Sequence, residues 1–590
     1  MPPRAVSTRA GRSDARLFRR GAVRHRLPVR RLAAMSLIAV GCVCARATLQ
    51  GQSLASMPER EARHAQREFE VLRRMLLPRV PARTGGCDFT IGDLCYWDDN
   101  ADAPLPPERP RVTRARDHLR SSLDSLGGID SANDYIVGQR VRYAIEAGDA
   151  AGAAAAVAHC SATPWWCEAL RGFAWHRAGA EDASAAAFDS ALADMPDSIR
   201  CKWLDVRSWI PPGTHASAND DKDACAARAE MSTRVFWLSA PLLTWRRDAV
   251  RDELFSRRTL IKLLSGTSNP QFTFWRWDSE QLSLRYGWPD QWAREDNPIG
   301  SVDFSDIRVV GDEPRPSFSV VPSQRALESP FTAKPGDWHL IDNRSALMRY
   351  APRWLRSIDT LPVQIARFRG HGDSMVVVAA FDGQTLVDSG SKTMLAAASL
   401  STGLAAESTL AIGLTTNVPA GAIVLVAPAQ PALGAVEVFD TVGGRAARWR
   451  AAIAPLAESA AISDLLVGRA GSAFDAQTPD AAARVAIPTL RVSPRDTLAL
   501  YWETYLRPPP AVPVRTTVRL TRSAGFFGRI FGHKHVGPAL SWEDAYPDPT
   551  PGRSIRFGLA GVPPGRYRLE VSVQTPQGHG TAAREIDVVE

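Results

Sequence analysis

The sequence predicts a multidomain α+β protein in which an N-terminal region of repeated helix pairs precedes two antiparallel β-sandwich modules. Its 590 residues suffice for roughly three or four domains of ~150 residues each. In the helical part, Gly138 and Gly172 lie 34 residues apart, which is a period of helical repeats. After Leu361 the pattern changes to short alternating runs separated by Gly, Asp and Pro, which is typical of antiparallel strands.

Residues 1–47 carry the basic character of the chain. They contain eleven arginines and one acid, Asp14, which is a net +10, so the rest contributes −2 to the total of +8. Because the chain after residue 47 has no net positive charge, it has no general electrostatic attraction for nucleic acid. An arginine-rich segment, a short apolar run and Ala45-Arg46-Ala47 predict a signal peptide cleaved after Ala47. The apolar run is too short to span a bilayer, which takes ~20 residues. A lipid anchor at Cys42, or a start at Met35, is the alternative.

Cleavage after Ala47 leaves six cysteines in three near-neighbour pairs. In an exported protein this parity indicates disulfides, although six thiols allow fifteen connectivities. Neither a CxxC pair nor an HExxH helix accompanies them, so we expect no metal site. The predicted local pairs are Cys87 with Cys95, Cys160 with Cys167, and Cys201 with Cys225.

The helical region is predicted at 111–250, after a linker with a small disulfide loop at 48–110. With Gly172 as the eighth residue of a 34-residue unit, Trp175 takes the eleventh place and Phe188 the twenty-fourth. This spacing resembles the tetratricopeptide repeat, in which small residues let two helices approach and aromatic side chains fill the space between them. Because two such units bury little, we expect a further hairpin over 220–247 or docking on the next domain.

An aromatic stretch follows in the segment 251–300, after a predicted helix. FTFWRW and QLSLRY alternate around Asp278-Ser279-Glu280, which predicts a β-hairpin with aromatic residues on both faces. We interpret such a hairpin as part of a core, packed between two neighbouring parts of the protein. A ligand groove is the alternative, because Trp and Tyr beside Arg are typical of binding hot spots. Its candidate binding residues are Trp275, Trp277, Arg285, Tyr286, Trp288 and Trp292.

The remaining segments are predicted as a long connection at 301–360, a first β-sandwich at 361–445 and a second at 446–590, both immunoglobulin-like. Pro576-Gln577-Gly578 indicates a hairpin between the last two strands.

Three stretches of the C-terminal part resemble exported bacterial proteins with a GWxTD domain. They are RYGWPD at 285–290, AISDLLVG at 461–468, and a pair of predicted closing strands with the sequences LALYWETYL and GRYRLEVSV. In place of Gly-Trp-x-Thr-Asp the chain has RWDSE at 276–280. The resemblance implies export and implies no particular reaction.

The sequence contains no GxSxG elbow, phosphate loop or GxGxxG turn. His371 with Asp373 and Ser374 is interpreted as a solvated turn, and His533 with His535 and Asp544 as a weak metal pattern. An acidic group in the long connection is interpreted as a solvated loop: Asp303, Asp306, Asp312 and Glu313.

The function predicted from these patterns is that of an exported, non-enzymatic binding or scaffold protein of the cell envelope. We expect protein partners at the helical repeats and the aromatic hairpin, without a cofactor, metal, nucleic acid or transmembrane span. The alternative is an envelope hydrolase or protease-associated factor whose site leaves no local motif.

Overall fold

Helices occupy the first half of the chain, and strands occupy most of the second half. The computed structural model describes residues 55–81, 89–92, 94–96, 106–212, 214, 224–244, 248–271, 275–287, 289, 291–295, 309–312, 319–340, 346–386, 394–505, 513–523, 536–545, 551–576 and 578–590. The predicted signal peptide, the alternative anchor Cys42, and Cys87 of the first predicted disulfide lie outside these residues.

Some helices begin directly after a side chain that caps them. Ser56 accepts a hydrogen bond from the Glu59 amide, and Asn133 accepts from the Tyr135 and Ile136 amides. In order, the helices are α1 (Met57–Leu76), α2 (Pro110–Ile129), α3 (Asp134–Glu146), α4 (Ala150–Val157), α5 (Pro164–Ala178), α6 (Glu181–Asp194), α7 (Asp197–Trp203), α8 (Ala224–Ser239), α9 (Ala249–Leu264), α10 (Trp277–Tyr286), α11 (Gln324–Glu328) and α12 (Pro479–Ala483).

Helix α1 lies in the segment predicted as a linker, which is therefore structured over most of 55–81. Two charged side chains of α1, those of Glu70 and Arg73, are buried against α2 and α3. The Glu70 carboxylate accepts hydrogen bonds from Arg142 at 3.0 Å and from the Tyr143 hydroxyl at 2.7 Å. Arg73 donates to Glu146 at 2.7 Å. Mutual pairing allows these charges to leave water, which a hydrophobicity pattern does not reveal.

The helices of the middle region pack in sequential pairs, α3 with α4 and α5 with α6. Gly172 faces Phe188 so closely that a Cβ on Gly172 would lie 2.8 Å from the ring. Cys160 and Cys167 form the predicted disulfide between α4 and α5, with Cα atoms 5.8 Å apart. The pair Cys201–Cys225, which joins α7 to α8, is also present, with Cα atoms 5.2 Å apart. Of the stretch 220–247, the described part contains one long helix, α8, and that helix docks on the following sheet.

In the part of the chain that the structure describes, five short strands precede the large sheets. They are β1 (Arg79–Val80), β2 (Phe89–Ile91), β3 (Leu94–Tyr96), β4 (Gln291–Glu295) and β5 (Val309–Asp312). Strand β4 pairs with β1 and β5, and β2 pairs with β3. The predicted aromatic hairpin is wrong over Trp277–Tyr286, which forms helix α10. Residues 272–274, the first part of that prediction, lie outside the described residues.

Two sheets follow, one of five strands in the order β10-β9-β12-β13-β6 and one of three in the order β11-β8-β7. Apolar side chains from both sheets share one core. Strands β6 and β13 pair in parallel, and the other pairs are antiparallel. The strands are β6 (Ser357–Thr360), β7 (Val363–Arg369), β8 (Ser374–Asp382), β9 (Met394–Ser401), β10 (Thr409–Thr416), β11 (Ala420–Pro428), β12 (Ala432–Asp440) and β13 (Arg445–Ile453).

The C-terminal part again consists of two sheets around one core, in the orders β14-β16-β19 and β15-β21-β20-β17-β18. The boundary predicted after residue 445 falls inside β13, because that strand pairs with β12 of the preceding sheet. The final hairpin is confirmed, since Thr575 pairs with Gly578. The strands are β14 (Leu466–Arg469), β15 (Arg491–Val492), β16 (Thr497–Glu503), β17 (Pro513–Arg522), β18 (Val536–Ala545), β19 (Gly552–Gly558), β20 (Gly565–Thr575) and β21 (Gly578–Val588).

Candidate functional site

The aromatic residues proposed for binding have very different exposures. Trp292 and Tyr286 are buried, with 2% and 5% of their surfaces exposed. Trp275 is partly buried and packs against the helical core, whereas Trp277 is 63% exposed. Trp288 lies outside the described residues. The structure therefore presents one of these side chains, Trp277, openly to solvent and places Trp275, Tyr286 and Trp292 mainly inside the protein.

The backbone of Arg285 takes part in hydrogen bonds inside the protein. Its carbonyl oxygen accepts hydrogen bonds from the Arg257 guanidinium at 2.8 Å and from the Arg349 amide at 2.9 Å. Arg257 also donates to the Leu284 carbonyl at 2.7 Å. These bonds hold the last turn of α10 on α9, so this end of α10 serves packing.

Among the described residues, the other sequence candidates do not assemble into a site. Ser374 donates to the backbone oxygen of His371 at 2.6 Å, as expected for an exposed turn between β7 and β8. The two histidines predicted beside Asp544 lie outside the described residues, and they are His533 and His535. The acidic residues predicted beside Asp312 also lie outside them, namely Asp303, Asp306 and Glu313. Within the described part of the chain, no group of three or more His, Cys, Asp or Glu residues is arranged to hold a metal ion.

A cleft of about 330 Å³ lies in the helical region, between the N-terminal ends of α1 and α3 and the C-terminal end of α9. We call it the Lys262 cleft. The residues that line it come from α1, from α3 and the turn before it, from α5, and from α9 and the turn after it. They are Glu59, Arg63, Ala132, Asn133, Asp134, Tyr135, Gly138, Gln139, Trp166, Lys262, Leu263, Ser265 and Thr267.

The cleft exists because three helices meet closely behind it. A Cβ on Gly138 would lie 2.8 Å from Leu263 Cδ2, so the absence of a side chain lets α3 approach α9. Trp166 Nε1 donates to the Asp134 carbonyl at 3.1 Å, and the Gln139 amide donates to the Leu263 carbonyl at 3.0 Å. These bonds fix the walls, and a rigid wall is what a binding site needs.

Both carboxylates of the Lys262 cleft are engaged within the protein. Glu59 accepts hydrogen bonds from Arg63 at 2.8 Å and from the Asn133 side-chain amide at 3.1 Å. Asp134 accepts from the amide and the hydroxyl of Thr163 at 2.9 and 3.0 Å. A carboxylate held in this way fixes the structure around it and is a poor candidate for a general base.

Lys262 differs from these groups because its ammonium makes no ion pair or hydrogen bond with another described residue. Its Nζ lies 4.6 Å from the Trp166 ring centroid and 5.5 Å from that of Trp165. Burial lowers the pKa of Lys262, and the negative charge of Asp134 opposes this shift in part. The two indoles thus position a partly desolvated cation at the wall of the cleft.

Tyr135 also lines the cleft. Its ring lies under the Arg63 guanidinium at 3.9 Å, and burial raises the pKa of the phenol to about 12. The hydroxyl has no hydrogen bond to another described residue, and the phenol keeps its proton at neutral pH.

The sequence contained little indication of this cleft, because the lining residues come from positions as far apart as Glu59 and Thr267. The one available signal was Lys262 itself, a cation inside the apolar run LIKLL. A lysine in such a run is also typical of an amphipathic helix, so the signal is not specific.

No protein-family model and no curated protein matches the chain. Among the helices that the structure describes, none has both the length and the apolar character needed to cross a bilayer. The Lys262 cleft is consequently interpreted from its own chemistry.

Proposed function

We propose that the protein is an exported, non-enzymatic binding protein of the cell envelope, and that its helical region recognises the partner or ligand at the Lys262 cleft. One observation carries this proposal: the cleft presents an ammonium, that of Lys262, which has no ion pair or hydrogen bond with another residue that the structure describes, while the carboxylates of the cleft are occupied by internal hydrogen bonds. A site of this kind can attract and hold a ligand. It offers no paired acid and base for hydrolysis, which disfavours the alternative of an envelope hydrolase at this place.

Export is supported by the disulfides Cys160–Cys167 and Cys201–Cys225, because such bonds persist in oxidising compartments. The arginine-rich leader and the resemblance to GWxTD-domain proteins point the same way. We propose that the helix pairs are tetratricopeptide-like and that the sheets form immunoglobulin-like modules. In this view the sheets are a rigid support for the binding region.

Retention of envelope components by the immobilised, oxidised full chain tests the proposal. We compare the wild-type protein with Lys262→Met, which keeps the alkyl stem against the indoles and removes the charge. The matched control is Lys202→Met, because Lys202 is exposed on α7 of the same helical region. We expect Lys262→Met to lose at least one retained component that Lys202→Met keeps.

Identical retained material from all three proteins would exclude the Lys262 cleft as the recognition site. Release of a retained component in cleaved form by the wild-type protein would instead support the hydrolase.

A further inference from the structure

The two disulfides of the helical region differ in their surroundings. Cys167 is buried in the apolar core, with 5% of its surface exposed, and Cys160 packs against that core. Cys201 and Cys225 are both partly exposed and are not part of that core. Thiol–disulfide exchange requires access of the attacking thiolate to a sulfur. The Cys201–Cys225 bond is therefore the more open of the two to an external thiol.

A guanidinium lies beside one of these two partly exposed cysteines. Arg228 Nη1 donates to Cys201 Sγ at 3.6 Å, and among the described residues this is its one polar contact. Lys202, which follows Cys201 in the chain, is exposed. Positive charge next to a sulfur stabilises the thiolate that leaves when a disulfide is attacked, so Arg228 should accelerate exchange at this bond.

The same disulfide anchors the beginning of α8. Cys225 is the second residue of that helix, the side chains of residues 224–230 are partly or fully exposed, and burial begins at Met231. The other end of α8 is held separately, because Arg450 donates to two carbonyls there. The bond to Cys201 thus ties to α7 the turns of α8 that the apolar core does not hold.

We propose that Cys201–Cys225 is a thiol–disulfide exchange site, and that its reduction by a dithiol releases the first turns of α8. A thiolate of the dithiol attacks Cys225 Sγ, the bond between the two cysteines breaks, and its electron pair leaves on Cys201 Sγ beside Arg228. The second thiolate of the same dithiol attacks its neighbouring sulfur in the mixed disulfide and frees Cys225. The dithiol becomes a disulfide, and the two electrons and two protons that it loses leave both cysteines as thiols.

Timed reduction of the oxidised full chain by dithiothreitol tests the exchange site. Alkylation stops the reaction, and mass spectrometry of the peptides gives the reduced fraction of each pair. We expect Cys201–Cys225 to be reduced about tenfold faster than Cys160–Cys167, because the latter pair packs in the core. Equal or faster reduction of Cys160–Cys167 would overturn the assignment.

The part played by Arg228 is tested in the same assay. Arg228→Met should slow the reduction of Cys201–Cys225 about threefold and leave the other disulfide unchanged, because the leaving thiolate loses its cation. Arg228→Lys retains the charge and should restore most of the rate. Arg515→Met, at an exposed ion pair on β17, should have no effect. A rate unchanged by Arg228→Met, or an equal slowing of both disulfides, would show that Arg228 does not act on the leaving sulfur.

Hydrogen exchange tests the release of α8, with the double variant Cys201→Ser and Cys225→Ser in place of the reduced pair. We expect faster exchange of the amides of residues 224–230 than in the oxidised wild type. The last turn, which Arg450 holds, should keep its protection. Unchanged exchange throughout α8, or faster exchange across the whole helical region, would contradict a local release.

Discussion

Asp252 and Glu253 are neighbours on α9, yet the pKa values of their carboxyl groups shift in opposite directions. Burial raises the pKa of Asp252 to about 6, and its partner Arg251 only partly compensates. Burial would also raise the pKa of Glu253, but Arg257 and His176 outweigh it and bring that pKa to about 2. The Glu253 contacts are short, 2.5 Å to Arg257 and 2.8 Å to His176. The environment of each side chain, and not its type, therefore sets its charge.

The raised pKa of Asp252 predicts a stability that falls as pH rises. Since the folded pKa of about 6 exceeds the reference 3.8, the folded state binds the proton more tightly. The stabilisation is complete below pH 3.8 and is lost as pH rises through 6, a change on the order of 2–3 kcal/mol. Asp252→Asn should remove this dependence and raise Tm relative to the wild type at pH 7 more than at pH 4. Asp248→Asn, at an exposed position on the same turn, is the control. An equal difference at both pH values would contradict the prediction.

Among the elements, the pair α5 and α6 shows how one small residue sets a helix contact. The Phe188 ring lies against Gly172, and the Ser184 hydroxyl donates to the Gly172 carbonyl at 3.1 Å. The sequence spacing had assigned Gly172 to a small-residue place and Phe188 to an aromatic place of a helix pair, and the structure brings these two residues into contact. Helix α10 shows the reverse outcome, because ten residues are too few to separate a period of 2 from a period of 3.6.

Helix signals were nevertheless present in α10. Asp278 and Glu280 lie in its first turn and Arg285 in its last, where they complement the helix dipole. Gly287 follows with a φ of 87°, a conformation that favours glycine at a helix end. These end signals were better evidence for this segment than its aromatic alternation.

Gly172→Ala should destabilise the protein, because the new Cβ has to displace the Phe188 ring in a packed core. Overpacking of this kind costs about 1–3 kcal/mol. The matched control is Gly128→Ala in α2, where a Cβ meets nothing within 4 Å. The control should have an unchanged or slightly higher Tm, because alanine favours helices. Equal Tm values for the two variants would show that α5 and α6 are not in close contact at Gly172.

At the scale of the whole molecule, a buried ion pair joins the helices to the first sheet. Arg450 of β13 donates to the Leu238 and Ala240 carbonyls at the end of α8, at 2.8 and 2.7 Å, and to Glu437 of β12 at 3.1 Å. Glu437 accepts from the Thr244 amide and hydroxyl at 3.0 and 2.7 Å. Both charged side chains are fully buried. Each therefore depends on the other for compensation of its charge.

A second set of polar contacts links the two sheet modules. The Gln364 side chain on β7 exchanges hydrogen bonds with the Val467 backbone on β14, at 2.8 and 2.9 Å. The Arg367 guanidinium contacts Asp464 at 2.7 Å. Burial of Gln364 leaves its amide dependent on these bonds, so the two modules meet in a defined arrangement.

Arg450→Met should release α8 from the sheet, because it leaves the Glu437 charge and two carbonyls buried without their partner. Loss of one member of a buried pair costs about 3–5 kcal/mol. The double variant Arg450→Met with Glu437→Gln should be less destabilised than the sum of the single changes. Hydrogen exchange of the α8 amides measures the release.

The control is Arg515→Met, which removes an exposed ion pair on β17 and should cost under about 1 kcal/mol. Strict additivity of the two buried changes would contradict this account of the joint.

The sequence by itself determined the features that depend on neighbours along the chain. These were the helix pairs around Gly172, the near-neighbour spacing of Cys160 with Cys167 and of Cys201 with Cys225, the alternating strand patterns after Leu361 and the final hairpin. Only the tertiary structure decided the burial of α1, the Glu437–Arg450 joint and the Lys262 cleft. The physical reason is that local periodicity reports which face of an element is apolar, whereas a buried charge or a cleft depends on which distant side chain meets it. Lys262 and Tyr135 lie 127 positions apart in the chain and line one cleft because Gly138 lets α3 approach α9.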